Sequence, residues 1–148
     1  MSTRSNILIQ QPDNTFLGIY CHWDGDLSFN GCILNACYQE REKVEALISL
    51  GDISQLGETL EPVSDEKTYC VAYGRDNGYK DTEARTYESL DVLNDFGNNF
   101  CEFNYVYGLD NSWRYFETGE LENGLLNLND AIKAIQNENI GGASKWEN

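Results

Sequence analysis

The stretch NILIQQPDNTFLGIYCHWDGDLSFNG, residues 6–31, decides the fold that this sequence predicts. Two segments with strand character, NILIQ (6–10) and FLGIYCHW (16–23), flank QPDNT, whose Pro, Asp and Asn are typical turn residues. The pattern predicts an antiparallel hairpin. Because side chains alternate across a strand, one face of the second strand is the more apolar and should point into the core: Leu17, Ile19, Cys21 and Trp23.

After this hairpin the apolar residues recur with the spacing of a helix instead of that of a strand. The clearest helix is EREKVEALISLG (40–51), with Val44, Leu47 and Ile48 on one face and charges opposite, and Gly51 suits the residue just past its end. We expect that face to pack on the hairpin. GCILNACY (31–38) predicts a shorter helix before it.

The middle of the chain predicts a loop and a second hairpin. DISQLGETLEPVSDEK (52–67) is polar and broken by Gly and Pro, which indicates a loop. TYCVAYG (68–74) and ARTYES (84–89) have strand character, and the Asn77-Gly78 pair between them is a strong hairpin signal. SLDVLNDFG (89–97) predicts a short helix closed by Gly97, with inward side chains Leu90, Leu93 and Phe96.

The last third predicts one more hairpin and one more helix. FCEFNYVYG (100–108) and SWRYFET (112–118) form the hairpin, and its alternation puts Phe103, Tyr105 and Tyr107 on one face as a possible exposed stripe. NLNDAIKAIQN (127–137) forms the helix, with Asn127 as its N-cap.

These elements predict a single α+β domain over residues 1–140, followed by a flexible C-terminal tail at 141–148. Hairpins dominate the order, so the sheet should be mostly antiparallel, with three or four helices packed mainly on one face. The 148 residues suffice for one core, and 41% hydrophobic composition excludes a disordered chain.

The net charge of the chain indicates which class of partner it binds. The chain has 25 Asp and Glu against 10 Lys and Arg, a formal net charge of −15. Such a field repels nucleic acid and anionic lipid and attracts basic protein surfaces. No segment approaches the roughly 20 apolar residues of a membrane span, so we expect no membrane partner. Solubility alone is the alternative explanation of the charge.

Five cysteines and no evident signal peptide indicate free thiols in a cytoplasm. No Cys-x-x-Cys pair occurs, so we expect no zinc, and neither a glycine-rich phosphate motif nor another cofactor motif is found.

The HWDG motif (22–25) and the aspartate that follows it contain the densest group of chemically active side chains: His22, Trp23, Asp24 and Asp26. Cys21 and His22 are strand neighbours that point to opposite faces, so they do not form a catalytic pair, and we expect no enzyme, although a small enzyme using Cys21 or His22 is a third hypothesis. His22 has the spacing to pair with Asp24. Asp-Gly is turn chemistry, and Asp26, Ser28 or Asn30 has the position of a cap for the following helix.

Two groups of charged residues carry the main functional hypotheses. Eight acids fall in predicted loops, turns and polar helix faces, where carboxylates could imitate a nucleic-acid backbone for a basic partner: Asp65, Glu66, Asp76, Asp81, Glu83, Glu88, Asp91 and Asp95. The alternative is a small-ligand site or a sponge for a signalling nucleotide, using the only local basic cluster, Arg75, Lys80 and Arg85, or the His22 corner.

GIYCHWDG (18–25), REKVEALISLGDISQLGE (41–58) and VAYGRDNG (71–78) resemble a group of short, uncharacterised proteins of bacteriophages and mobile elements. Members often have an aromatic residue after the Asp-Gly and a histidine before the later Arg-Asp, where this chain has Asp26 and Gly74. The resemblance implies action in the cytoplasm of a bacterial host. With the charge, it leads us to expect an inhibitor of a host defence system, of anti-CRISPR or anti-restriction type, that binds a basic cleft of its target as a nucleic-acid mimic.

Overall fold

A computed structural model describes residues 3–97 and 99–147, with side chains described as far as residue 138. The strands are β1 (Ser5–Gln10), β2 (Phe16–Cys21), β3 (Ile53–Gln55), β4 (Val71–Ala72), β5 (Arg85–Tyr87), β6 (Phe103–Tyr107), β7 (Trp113–Glu117) and β8 (Leu126–Asn127). The α-helices are α1 (Cys32–Cys37), α2 (Arg41–Ser49), α3 (Tyr73–Asn77) and α4 (Leu128–Glu147). A π-helical turn (Leu27–Gly31) and two 3₁₀ helices (Asp91–Asn94 and Leu121–Asn123) complete the elements.

The described strands form one mixed sheet, in the order β4-β3-β2-β1-β6-β7-β8, with β5 paired to β2 beside β3. Pairing is antiparallel except between β1 and β6 and between β2 and β3. With the helices, this is the α+β fold that the sequence predicts.

The first hairpin has the predicted form. β1 and β2 pair antiparallel in a register that sets Ile7 opposite Ile19 and Gln10 opposite Phe16. Ile19 and Cys21 are buried in the core and Leu17 packs against it. Trp23 is instead 49% exposed. The prediction for Trp23 is wrong because β2 ends at Cys21 and the chain turns before the alternation reaches Trp23.

Helix α2 also matches its prediction. Val44, Leu47 and Ile48 are buried in the same core as β1 and β2. Gly51 has a φ of 76°, the left-handed conformation expected past the helix end. A Cβ at Gly51 would also clash with the Thr82 carbonyl oxygen, so both the left-handed backbone and this close contact require glycine.

The predicted middle hairpin is wrong. The strand expected over 68–74 shrinks to β4, and the chain continues directly into α3, which ends with Gly78 at a φ of 73°. Asn-Gly thus terminates a helix here instead of turning a hairpin. The 52–67 loop contains β3, which pairs with both β2 and β4, while β5 pairs with β2.

The 89–97 segment is a 3₁₀ helix rather than an α-helix. Leu90 and Leu93 are buried as predicted, whereas Phe96 is 55% exposed. The tighter 3₁₀ geometry brings Leu90 and Leu93 to one side, and the helix ends at Asn94 before Phe96 can join them. Gly97 is not left-handed.

Two hydrophobic clusters lie on opposite faces of the sheet. The larger holds Ile7, Ile9 and Ile19 together with the buried faces of α1, α2 and α4. The smaller holds Leu8, Val106 and Phe116 beneath Leu90 and Leu93. The predicted last hairpin, β6–β7, is present and joins the first through the parallel β1–β6 pair.

Tyr105 and Tyr107 are fully buried, so the expected exposed stripe is wrong. Their hydroxyls donate to the Gly25 and Gln39 carbonyl oxygens, at 2.6 and 2.8 Å. A buried tyrosine is stable there because the hydroxyl has a partner.

Helix α4 begins as predicted, since the Asn127 side-chain oxygen accepts a hydrogen bond from the Asp130 amide at 2.9 Å. Leu128 and Ile132 are buried against the sheet. The helical backbone reaches Glu147, beyond the predicted end at 137. Flexibility of 141–148 stays a prediction, and residue 148 lies outside the described residues. Of the helices described, none has the length and apolar content to cross a membrane.

Candidate functional site

The HWDG motif forms a sharp corner at the end of β2. Asp24 has a φ of 58°, and the amide of Gly25 donates to the Thr3 carbonyl oxygen at 2.8 Å. A Cβ on Gly25 would lie 2.8 Å from the Arg4 carbonyl carbon, so only glycine fits this close approach. The Asp-Gly pair is therefore turn chemistry, as the sequence indicates.

His22 is engaged by Tyr20 instead of Asp24. The His22 Nδ1 atom and the Tyr20 hydroxyl are 2.7 Å apart, and the His22 ring meets Trp23 edge-on at 4.7 Å between centroids. Cys21 lies on the other side of the strand, where its thiol faces the Trp23 carbonyl oxygen at 3.5 Å. Cys21 and His22, which strand alternation predicts to point to opposite faces, are thus held by different partners.

Asn30 and Asp26 do not cap α1. Asn30 is buried, and its amide nitrogen donates to the Trp23 carbonyl oxygen at 3.1 Å and to the Cys21 sulfur at 3.3 Å. Asp26 precedes the π-helical turn without a capping hydrogen bond, and its Oδ1 is buried without a partner. The capping prediction fails because the π-helical turn, rather than α1, follows the corner.

Burial suppresses the nucleophilic chemistry of the core thiols. It raises the pKa of Cys21 to about 12 and that of Cys101 to about 12, and it also raises the pKa of Cys70. These thiols stay protonated at neutral pH, and the thiolate is the reactive form. The corner therefore orders the backbone and offers no activated nucleophile at Cys21.

All eight acids of the partner-binding hypothesis are exposed: Asp65, Glu66, Asp76, Asp81, Glu83, Glu88, Asp91 and Asp95. Asp76 pairs with Arg75 at 3.0 Å and accepts a hydrogen bond from the Ala72 amide at 2.7 Å, and these contacts lower the pKa of its carboxyl. The segment carrying the eight acids follows the sheet edge beyond β2 and then crosses the face above Leu8 and Val106.

The three bases of the alternative hypothesis do not form one cluster. Arg75 is held by Asp76 and by the Cys70 carbonyl oxygen, at 2.9 Å from the latter. Arg85 pairs instead with Asp52, whose Oδ1 also accepts the Tyr20 amide of β2. Lys80 is exposed, and among the described residues it forms no ion pair. Of the three, Arg85 lines the cleft described next, and Arg75 and Lys80 do not.

That cleft has a volume of about 270 Å³ and lies on the face of the sheet that carries the smaller hydrophobic cluster. We name it the Asp52–Arg85 cleft, and the lining residues that matter below are Asn6, Tyr20, Asp52, Arg85, Tyr87 and Phe100. Arg85 donates to both Asp52 oxygens, at 2.7 and 3.2 Å. Asp52 also accepts the Tyr20 amide at 2.9 Å, so it fastens the β5 segment to β2.

Buried amides form the floor of the cleft. The Asn6 amide nitrogen donates to Asn99 Oδ1 at 3.0 Å and to Asn104 Oδ1 at 2.9 Å. Asn99 and Asn104 both donate to the Thr118 hydroxyl, at 3.3 and 2.9 Å. Neither this network nor the Asp52–Arg85 pair is predicted from the sequence. An asparagine inside each of two strand patterns, NILIQ and FNYVY, is the signal that could have found the network.

The arrangement offers no evident metal site, because within the part of the chain that the structure describes no three His, Cys, Asp or Glu side chains are grouped to hold a metal ion. It does offer an acidic surface and a mixed aromatic and polar cleft. Comparison with known proteins finds no matching family model, no matching curated protein and no matching solved structure.

Proposed function

We propose that this protein is an acidic inhibitor of a host nucleic-acid-handling defence system, of anti-CRISPR or anti-restriction type. It binds a basic cleft of its target in place of nucleic acid and acts in the bacterial cytoplasm. The exposure of all eight acids is the observation that supports this proposal. The phage-type setting comes from the sequence resemblance around the HWDG motif.

The local charge balance strengthens the proposal. Residues 52–97 contain eleven acids and four bases, and Arg75 and Arg85 are each paired with an acid of the same segment. Few cations in the segment are therefore left to screen its carboxylates from a partner. A basic protein that docks there gains from the release of counterions on both surfaces, which makes the affinity depend steeply on salt.

The test is affinity capture from a bacterial lysate with three baits. The wild type is compared with a variant that neutralises four acids of the segment: Asp81→Asn, Glu83→Gln, Glu88→Gln and Asp91→Asn. A matched control neutralises four exposed acids elsewhere: Glu42→Gln, Glu117→Gln, Glu122→Gln and Asp130→Asn. Both variants lose the same formal charge, so only position distinguishes them.

We expect the wild type and the control to retain a nucleic-acid-binding protein, and the segment variant to lose most of it. The captured protein should be released by duplex DNA and by raising NaCl from about 50 to 200 mM. Equal capture by both variants, or binding indifferent to salt, would contradict mimicry. Capture of no protein would leave solubility as the explanation of the charge.

A second candidate function, capture of a small molecule, is favoured by one observation. Arg85, one of the three bases of that hypothesis, lines the Asp52–Arg85 cleft, whereas Arg75 and Lys80 do not. Titration calorimetry with signalling nucleotides tests it: saturable binding that Arg85→Met abolishes would support a nucleotide sponge, and no heat of binding would count against it.

A further inference from the structure

The walls of the Asp52–Arg85 cleft are aromatic. Tyr20 and Tyr87 project from neighbouring strands, and Phe100 stands at the cleft with 71% of its surface exposed. A phenyl ring this exposed on a polar chain lacks a partner that would keep it from water. Flat π systems are the ligands that such rings bind best, by stacking.

The floor of the cleft presents a hydrogen-bond acceptor, the side-chain oxygen of Asn6. The Asn6 amide nitrogen already donates to two asparagines, and its amide oxygen accepts no hydrogen bond from any described residue. The Asn6 oxygen is therefore the atom that this side chain can offer to a ligand. It requires a ligand with an N–H or O–H donor.

The two charged side chains that line the cleft, Arg85 and Asp52, neutralise each other. Arg85 is neutralised by Asp52 at 2.7 Å, so it offers no free cation for a phosphate. The surrounding chain carries a net charge of −15, which repels anions further. A cationic ligand lacks a free carboxylate in turn, because both oxygens of Asp52, the acid that lines the cleft, already accept from Arg85. An uncharged ligand meets neither objection.

We propose that the Asp52–Arg85 cleft binds an uncharged, planar heteroaromatic molecule of nucleobase size that carries a hydrogen-bond donor. The ring stacks on Phe100 and the tyrosines, and its donor faces the Asn6 oxygen. The volume of about 270 Å³ lies just below the range of drug-sized pockets, which suits a ligand of this size. The inference rests on the second candidate function in its small-ligand form, with an uncharged ligand in place of a signalling nucleotide, and it does not depend on the acidic inhibitor.

Calorimetry and amide chemical-shift mapping with small probes test the proposal on the whole chain. Adenosine and cytidine are the uncharged ligands, and adenosine 5′-monophosphate is the anionic one. N6,N6-dimethyladenosine lacks the amino donor, and arginine amide is the cation. We expect a Kd of about 0.1–1 mM for adenosine or cytidine, with shifts at the Tyr20, Arg85 and Asn99 amides. The dimethyl compound should bind about two- to tenfold more weakly than adenosine, and the monophosphate more weakly still.

Phe100→Ala should weaken binding at least fivefold without unfolding the protein, because the ring is mostly exposed. Phe29→Ala is the matched control, since Phe29 is 55% exposed and does not line the cleft. It should leave the Kd unchanged.

Tighter binding of the monophosphate than of adenosine would overturn the uncharged ligand and favour a nucleotide sponge. Preferential binding of arginine amide would overturn it in favour of a cation site. No saturable binding of adenosine or cytidine, or equal weakening by both phenylalanine variants, would refute the cleft as a site. None of these results bears on lysate capture by the acidic segment, so the two proposals fail separately.

Discussion

Replacement of Asp52 by asparagine tests how the β5 segment is fastened to the sheet. The Asp52 carboxylate accepts two hydrogen bonds from Arg85 and one from the Tyr20 amide, and its side chain is only 16% exposed. In Asp52→Asn the amide oxygen can take the place of Oδ1 and still accept from the Tyr20 amide and from Arg85 Nη2, but the NH₂ group then replaces Oδ2 and faces the Arg85 Nη1 donor. The ion pair and one of the two Arg85 hydrogen bonds are therefore lost, while the bond to the backbone survives.

The magnitude follows from the exposure of each partner. Breaking a fully buried ion pair costs about 3–5 kcal/mol, and an exposed pair contributes about 0–1 kcal/mol. Arg85 has 44% of its side chain exposed, so water can solvate the released guanidinium. We expect Asp52→Asn to lower the free energy of unfolding by about 1–2 kcal/mol, which corresponds to a fall in Tm of about 3–6 °C for a chain of this length.

Asp52→Ala removes the Tyr20 acceptor as well. An unpaired backbone donor should cost about 1 kcal/mol more, since Tyr20 is half-buried. Urea unfolding followed by circular dichroism measures both variants, with Asp110→Asn as the control from an exposed pair. A loss in Asp52→Asn no larger than in Asp110→Asn would refute the fastening role, and equal losses in the two Asp52 variants would refute the contribution of the Tyr20 bond.

Two other predictions concern the reactivity of the cysteine thiols and the stability of the fold at low pH. In the native protein a thiol reagent such as DTNB should label the half-buried Cys32 and Cys37 first, while the core thiols react only after denaturation: Cys21, Cys70 and Cys101; fast native labelling that remains in the Cys32→Ser, Cys37→Ser double variant would contradict this. Arg114 and Ser112 lower the pKa of the Asp110 carboxyl, so this pair stabilises the fold above the unfolded-state pKa near 4 and the contribution is lost as pH falls through the lower folded-state value. The small stability difference between wild type and Asp110→Asn at neutral pH should therefore shrink in acid, and urea titrations that show it constant from pH 7 to pH 2 would count against the pairing.

Local patterns were enough for the elements that are built from neighbouring residues. The first and last hairpins, helix α2 and the Asn127 cap follow from alternation, helical period and capping chemistry within a dozen residues. The exposure of the eight acids was predictable as well, since charged side chains lose hydration when buried without a partner.

Sequence patterns were ambiguous where the same residues are typical of two different structures. Asn77-Gly78 is typical of a hairpin turn and also of a helix end, and the contacts of Asp76 with the Ala72 amide and Arg75 favour the helix. Tyr105 and Tyr107 alternate like an exposed stripe, yet carbonyl partners at Gly25 and Gln39 allow both to be buried. The two carbonyl partners of the tyrosines lie 80 and 68 positions away in the chain, so alternation alone cannot reveal them.

Spacing, turn chemistry and composition are enough to predict the class of fold, the hairpins at either end and the acidic surface. The tertiary structure alone decided the parallel pairing of β1 with β6, the docking of β5 on β2 and hence the Asp52–Arg85 cleft. These contacts join residues 33 to almost 100 positions apart. Their partners are selected by packing and by hydrogen-bond satisfaction across the whole domain, which no local segment encodes.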